Sequence, residues 1–492
     1  MMLAKLKDKY NSLPLPVKAA AFFVLCGVFK DAIDILVTPL FTRILTTEEY
    51  GLFNVYNSWY QIFRIVATIS LWGDSFEVGL ARFDDKRNQF VSSLQGLMTV
   101  LFFFWAAVYF IFRQQIEQLM GLSSILMVCL LLQIMFSVPY MFWYKKNKYE
   151  YKYKLITVFT VIYTILQPFL SLLFIKLNSF GWDNGEIRII ASVGVQIVFG
   201  FIVFIIQFIK TPVFYQKKFW KFALLTNIPL VPHFLSQILL NQSDKIMIDM
   251  FVGKTETAVY SVAHSAAFVI LVVATNLNSA FIPWLYTKIK KEKFDGIKNT
   301  VNIIVLFVGV AVTMLVLVAP EAMLILGGKK YYEGIWTIPS LAFSVLLILI
   351  YTLFANIELY FSKNVFVMIS SLIGAASNIL LNWLLIPQFG YVAAGYTTAI
   401  GYLLMCITHY IFLRLTCKQE GLRMSDFFDI RMILLISLAL AGVCTLIAFV
   451  YHLIIVRYLV FAVVAAVLII KRKKIIGFYK SMKNKNEEKQ AS

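Results

Sequence analysis

Charge is what this sequence has least of. Asp, Glu, Lys and Arg make up 14% of its 492 residues, 60% are apolar, and the mean hydropathy is +0.79. A soluble globular protein, with about a quarter of its residues charged, is excluded by that balance. Histidine and cysteine are also scarce and scattered: His233, His264, His409 and His452, and Cys26, Cys129, Cys406, Cys417 and Cys444. Their positions exclude a disulfide framework and a zinc spacing. No His/Asp/Glu cluster has ligand spacing, so neither a metal nor a cofactor is expected. Long hydrophilic connections are missing too, which leaves no room for an appended soluble domain or a catalytic loop.

Apolar runs of membrane length fill the chain instead. The 44 Phe and 25 Tyr suit a large lipid-facing area flanked by interfacial belts. A hydrocarbon core ~30 Å thick needs roughly twenty helical residues per crossing, because lipid leaves no partner for an open backbone group. Spans are expected near 18 to 40, 50 to 73, 90 to 112, 122 to 144, 155 to 176, 187 to 209, 222 to 251, 257 to 285, 299 to 320, 336 to 361, 365 to 387, 391 to 413, 431 to 451 and 453 to 470. The Lys-rich start runs on through Lys30, Asp31 and Asp34 with no small-residue cleavage site, so it reads as the first span and not as a signal peptide.

The net charge of +19 raises nucleic acid as a partner, but its distribution argues otherwise. Alternate connections are basic, from Arg82/Lys86/Arg87 and Lys145 to Lys154 through to the tail from Lys471 to Lys489. The opposite connections hold only Arg43, Arg113, Lys176, Arg188, Lys254, Lys329, Lys330 and Arg457. Such alternation orients a multi-pass protein in a bacterial cytoplasmic membrane with both termini inside, and the basic loops attract anionic lipid at the inner leaflet.

An internal repeat organises the spans. Asp34-Ile-Leu-Val-Thr-Pro-Leu-Phe41 has a counterpart in Asp244-Lys-Ile-Met-Ile-Asp-Met-Phe251, and Glu49 to Ser58 pairs with Glu256 to Ser265. The copies lie six spans apart, so both halves enter the membrane the same way round. The expected fold is all-α and integral to the membrane: about 14 transmembrane helices, in two parallel-repeat six-helix bundles around a central cleft plus two C-terminal helices. The corresponding division is 1–221 for the first bundle, 222–413 for the second, and 414–492 for the trailing helices and basic tail.

Charges kept inside spans are the candidate site, since each costs ~2.5 to 3.5 kcal/mol at mid-bilayer on insertion scales. Lys30, Arg64 and Lys245 are the candidate contacts to an anionic substrate. Asp31, Asp34, Asp244 and Glu358 are candidates for coupling an ion or orienting those cations. Internal ion pairs that only hold helices together are the plainer reading of the same residues. His264 reads as a packed or interfacial histidine more than a proton relay; Trp59, Tyr60 and Phe63 near Arg64 are candidates to stack on sugars, with core or lipid-facing bulk the plainer reading.

Several motifs then carry a family resemblance. They are Pro39-Leu-Phe-Thr-Arg-Ile-Leu-Thr-Thr-Glu-Glu-Tyr-Gly51, Gly79-Leu-Ala-Arg-Phe83, Pro229 through Ser243-Asp-Lys-Ile-Met-Ile248, Asn378-Ile-Leu-Leu-Asn382, Ile386-Pro-Gln-Phe-Gly390 and Ala393-Ala-Gly-Tyr-Thr-Thr398. In order and spacing the chain resembles the Wzx-type lipid-linked oligosaccharide flippases of the multidrug/oligosaccharidyl-lipid/polysaccharide exporter superfamily. The resemblance implies a glycan carried on undecaprenyl pyrophosphate as substrate, no covalent chemistry, and a polysaccharide polymerase and glycosyltransferases as partners. It also implies that Lys30-Asp31 and Arg64 match a basic-acidic pair and an Arg that face the cavity in related lipid II flippases. The chain has Lys where Arg is usual, a point charge in place of a bidentate fork, and offers only His264 where the family has a further arginine. A multidrug or cation antiporter of the same fold is the alternative reading; a membrane-embedded glycan polymerase or transferase is a third.

Overall fold

Residues 14–179, 181–466 and 469–470 are described by the computed structural model. Two units follow one another along the chain, Met1–Ile238 and Leu239–Ser492. In the first lie α1 (Leu15–Ile44), α2 (Thr47–Thr68), α3 (Asp74–Arg82), α4 (Arg87–Ile111), α5 (Arg113–Met120), α6 (Ser124–Tyr149), α7 (Tyr153–Lys176), α8 (Asn184–Lys210) and α9 (Lys217–Asn227). After α10 (Val231–Phe251), which carries the boundary, come α11 (Lys254–Lys290), α12 (Ile297–Leu317), α13 (Ala319–Leu326), α14 (Ile338–Tyr360), α15 (Asn364–Phe389), α16 (Tyr391–Gln419), α17 (Met424–Phe427) and α18 (Ile430–Phe449). A shorter apolar helix, α19, covers Ile454–Ala466.

Among the described residues, 11 helical stretches are long and apolar enough to cross a membrane. Their outer faces leave large apolar side chains bare, Phe449 at 79% and Leu438 at 72%, as lipid-facing helices must. α1, α2 and α19 bring the count to the fourteen expected: α1 and α2 are long enough but carry charge, and α19 is apolar but short. The seventh span is not one continuous helix. Pro229 and Pro232 lack the amide hydrogen an α-helix needs, and the chain passes from α9 through a 3-10 turn, Ile228–Leu230, before α10 begins. The basic residues of 1–13 and 471–492 lie outside the described residues.

Helix ends are set by local chemistry. α2 starts at a capping box, with the Glu49 amide donating to Thr46 Oγ1 at 3.2 Å and the Thr46 amide to Glu49 Oε2 at 2.7 Å. Glu49 Oε1 also accepts from the Asn184 amide at 3.2 Å, which ties the start of α2 to the start of α8. α2 stops where Ile69 and Ser70 turn left-handed, at φ 50° and 51°. Inside the first unit, Phe76 stacks on Phe142 at 4.6 Å, and helices close up at glycine. A Cβ at Gly200 of α8 would strike the Phe136 carbonyl of α6, so only glycine permits that approach.

The second unit is built around α14, buried on nearly all its faces from Ile338 to Glu358. Two arginines counted from sequence as lying in outer connections are in fact buried. Arg188 in the second turn of α8 is 5% exposed, its guanidinium 3.5 Å from the Phe53 ring centroid and 4.0 Å from that of Phe41. Arg457, 3% exposed, donates to both carboxylate oxygens of Glu321 at 2.8 Å and to the Leu317 carbonyl at 2.7 Å, clamping α19 to α12 and α13. Counting charges along a chain cannot show that a guanidinium turns inward onto ring faces or a carboxylate.

The repeated motifs end alike. Asp34 to Phe41 closes α1 and Asp244 to Phe251 closes α10, and each is followed by a tight turn into the next helix. Their aspartates differ: Asp34 is exposed, Asp244 is 2% exposed.

Candidate functional site

Tyr56, Tyr60 and Arg64 recur every four residues along α2, so they rise on one face. The Arg64 guanidinium lies 4.3 Å from the ring centroid of Trp72 and 5.4 Å from that of Tyr60. Such cation–π contacts contribute about 0.5 to 2 kcal/mol, more as water is removed, and they hold a cation inside a span without neutralising it. Arg64 is half-buried, its Nε has no hydrogen-bond partner, and its charge reaches the Tyr163 hydroxyl of α7. No salt bridge among the described side chains involves Arg64 or Lys30. An uncompensated, pre-oriented guanidinium of this kind suits a phosphate oxygen.

From α2 a hydrogen-bonded arc of amides crosses the first unit to α7. The Tyr56 hydroxyl donates to Gln133 Oε1 at 2.9 Å, Gln133 Nε2 to Gln196 Oε1 at 2.9 Å, and Gln196 Nε2 to Gln167 Oε1 at 3.4 Å. Gln167 stands one helical turn along α7 from Tyr163. Tyr163 stacks on Tyr140 at 5.1 Å, and Tyr140 on Trp143 at 5.9 Å.

Lys30 and Asp34 are both exposed on α1, and Asp31 lies outside the described side chains.

Asp244 organises the second unit's polar centre. Its carboxylate accepts from the Tyr260 hydroxyl at 2.5 Å, Thr398 Oγ1 at 2.5 Å, Asn382 Nδ2 at 2.6 Å and Asn378 Nδ2 at 3.2 Å. Ser243 Oγ donates to Asn378 Oδ1 at 3.0 Å, and Thr397 donates to Asn382. Four donors satisfy this buried carboxyl group, and no basic side chain is bonded to it among the described residues. Lys245, next along α10, is half-buried, with Nζ 3.5 Å from Gln242 Oε1 and its charge felt by His264. Asp249 pairs with Lys254 at 3.5 Å.

Glu358 is elsewhere in that unit, joined to His409 Nδ1 at 2.9 Å with both side chains 0% exposed. Glu358 Oε1 and His409 Nε2 have no hydrogen-bond partner, and Tyr351 stacks on the imidazole at 5.5 Å. Sequence reasoning missed His409, Tyr260, Asn378, Asn382 and Thr398 as site residues. The two asparagines, four apart in an apolar helix, were the one local signal that α15 has a polar face to satisfy.

Residues 17–289 match the family described as polysaccharide biosynthesis protein. The capsular polysaccharide biosynthesis protein CapF of Staphylococcus aureus is 24% identical over 80% of this chain and 98% of its own length. A protein of the Lsg locus of Haemophilus influenzae is 25% identical over 76% of this chain and 93% of its own. Among solved structures, the lipid II flippase MurJ in an inward closed conformation superposes with a TM-score of 0.69 at 14% identity, covering 92% of this chain and 99% of that one. An inward-facing multidrug resistance transporter of the MATE family gives 0.58 at 12% identity, over 79% and 95%. At such identities the superpositions establish the fold alone.

Proposed function

We infer that this chain, which belongs to the polysaccharide biosynthesis protein family, carries a lipid-linked oligosaccharide across the membrane. The substrate of this reading is a glycan on a polyprenyl pyrophosphate, taken up at the cytoplasmic leaflet of a bacterial cytoplasmic membrane and delivered to the outer one. The glycan crosses by alternating access while the lipid tail stays in the bilayer. No bond is made or broken, so the protein is a transporter and not an enzyme. Both termini are cytoplasmic in this reading, as the basic loops require. Glycosyltransferases supply the substrate and a polymerase consumes it.

The single observation that supports this most is Arg64: a guanidinium in a membrane span, held by ring faces and not by a carboxylate, with hydrogen-bonding capacity in reserve. Lys30 and Lys245 are its proposed partners in holding the pyrophosphate. Asp31, Asp34, Asp244 and Glu358 are the carboxylates through which a coupling ion acts or the cations are oriented. An exporter of cationic drugs needs the opposite sign at Arg64.

The test is flipping of a fluorescent lipid-linked oligosaccharide in liposomes. Native protein moves the label between leaflets, and Arg64→Ala slows this at least tenfold. If native protein leaves the label where it was but extrudes a cationic dye, the drug-exporter reading replaces this one.

A further inference from the structure

We propose that Gln167, Gln196, Tyr163 and Tyr140 form a sugar-recognition subsite beside Arg64, which receives the neutral sugar rings nearest the phosphate. This rests on the lipid-linked oligosaccharide reading and goes beyond it, because it says what reads the glycan and where.

The arc's uneven burial carries the inference. Tyr56 and Gln133 are sealed at 1% exposure, whereas Gln196, Gln167, Tyr163, Tyr140 and Arg64 are all half-buried. A network that serves only as glue between helices gains most when closed along its whole length, since each unfilled hydrogen-bonding site in lipid is unfavourable. This one is closed at the Tyr56 end and open at the Gln167 end. An amide offers two donors and two acceptor lone pairs. The Gln196–Gln167 bond, at 3.4 Å, is the longest of the three amide contacts and the easiest for a ligand to exchange.

The chemistry left open matches a sugar. Each sugar hydroxyl donates and accepts, so it can enter a chain of amides and phenols without breaking its polarity. The Tyr163–Tyr140 stack, 12° from coplanar, offers flat apolar faces for the C–H side of a ring. No carboxylate belongs to the arc, so it favours neutral sugars over amino sugars bearing a charge. Arg64 beside it places the phosphate, and the register of amides along α7 and α8 places the rings that follow.

Binding of two probes to the full-length protein in lipid nanodiscs tests this, read by the fluorescence of Trp72 and Trp143. One probe is farnesyl pyrophosphate; the other is the same lipid bearing a disaccharide of neutral hexoses. Native protein binds the glycosylated probe about tenfold more tightly, the scale of one or two well-made hydrogen bonds. Gln167→Leu with Gln196→Leu brings the ratio to about one and leaves farnesyl pyrophosphate within twofold of native, while Arg64→Ala weakens both probes. If the double variant loses both probes through misfolding, Tyr163→Phe decides: it must keep the bare lipid and reduce the ratio at least threefold. A native protein that binds both probes equally, or glutamine and tyrosine variants that keep the native ratio, overturns the subsite and leaves the transport reading standing. Native protein that binds neither probe overturns both.

Discussion

Replacing Asp244 by Ala removes the acceptor shared by Tyr260, Thr398, Asn378 and Asn382 and leaves four donors facing a cavity. Hydrogen bonds to a charged group contribute about 1.5 to 3 kcal/mol each, but bonds on one carboxylate do not add independently. Breaking a buried charged network from one side costs about 3 to 5 kcal/mol. For a unit of the size of Leu239–Ser492, a loss of 1 kcal/mol lowers Tm by roughly 2 to 4 °C, so Asp244→Ala should unfold about 6 to 20 °C below native. Asp244→Asn keeps an acceptor and the shape, turns an amide donor toward other donors, and falls between. Tyr260→Phe removes one donor only and costs about 1 to 2 kcal/mol. The assay is the fraction of protein that stays monodisperse in detergent after heating, compared at one heating rate because such unfolding is irreversible. The order Ala, Asn, then Tyr260→Phe is the prediction. Asp244→Ala melting within 2 °C of native, or Tyr260→Phe matching it, refutes the claim that Asp244 is the hub.

Two glycines of α8 should respond with opposite sign. Gly200→Ala drives a Cβ into the Phe136 backbone and costs about 1 to 3 kcal/mol, whereas Gly194 has nothing within 4 Å and Gly194→Ala stabilises by up to about 1 kcal/mol through helix propensity; heating both side by side checks this. At α19, Arg457→Lys should behave nearly as badly as Arg457→Ala, because an ammonium cannot reproduce the two 2.8 Å bonds to Glu321; hydrogen exchange of Ile454–Ala466 reads the loss. The clamp also has a pH window. Arg457 donating to Glu321 holds its carboxyl below the usual carboxylate range, so its stabilisation is complete above the ordinary value of about 4.3 and is lost as pH falls through the lower folded value. Exchange in α19 should therefore accelerate below about pH 4 in native protein and show no such step in Glu321→Gln.

Most of the helices were legible because lipid imposes a length and a composition on each crossing, and 11 stretches among the described residues meet both. The break at Ile228–Leu230 was visible only as two prolines, which tolerate a kink or a full interruption; the packed surroundings decide between them. Site chemistry was less legible, for a reason the residues make plain. Tyr60 precedes Arg64 by one helical turn and could be paired with it from spacing, but Trp72, nearer to the guanidinium, reaches it by way of the left-handed turn after α2. Asp244 looked like a membrane-buried charge in need of a cation, and Lys245 stood beside it; the structure satisfies it with neutral donors from α11, α15 and α16, more than a hundred residues away for Asn378, Asn382 and Thr398. His409 carried no local signal, since its partner Glu358 is 51 residues earlier.

That last pair separates a charge kept for packing from one kept for function. Glu358 and His409 together can be neutral overall, and both are fully enclosed. Losing one partner strands the other in a dry core, so Glu358→Leu alone and His409→Leu alone should each cost about 3 to 5 kcal/mol. Replacing both by leucine removes the two polar groups at once and, with similar volume, returns most of that loss, because a buried pair contributes little net stability over a packed apolar one. A double-mutant cycle on heat-treated protein measures the coupling. If the double variant melts at the sum of the single losses, the two residues act independently and the 2.9 Å contact is not an energetic unit. If it recovers stability yet no longer flips labelled lipid-linked oligosaccharide, the unpartnered Glu358 Oε1 and His409 Nε2 serve transport and not the fold.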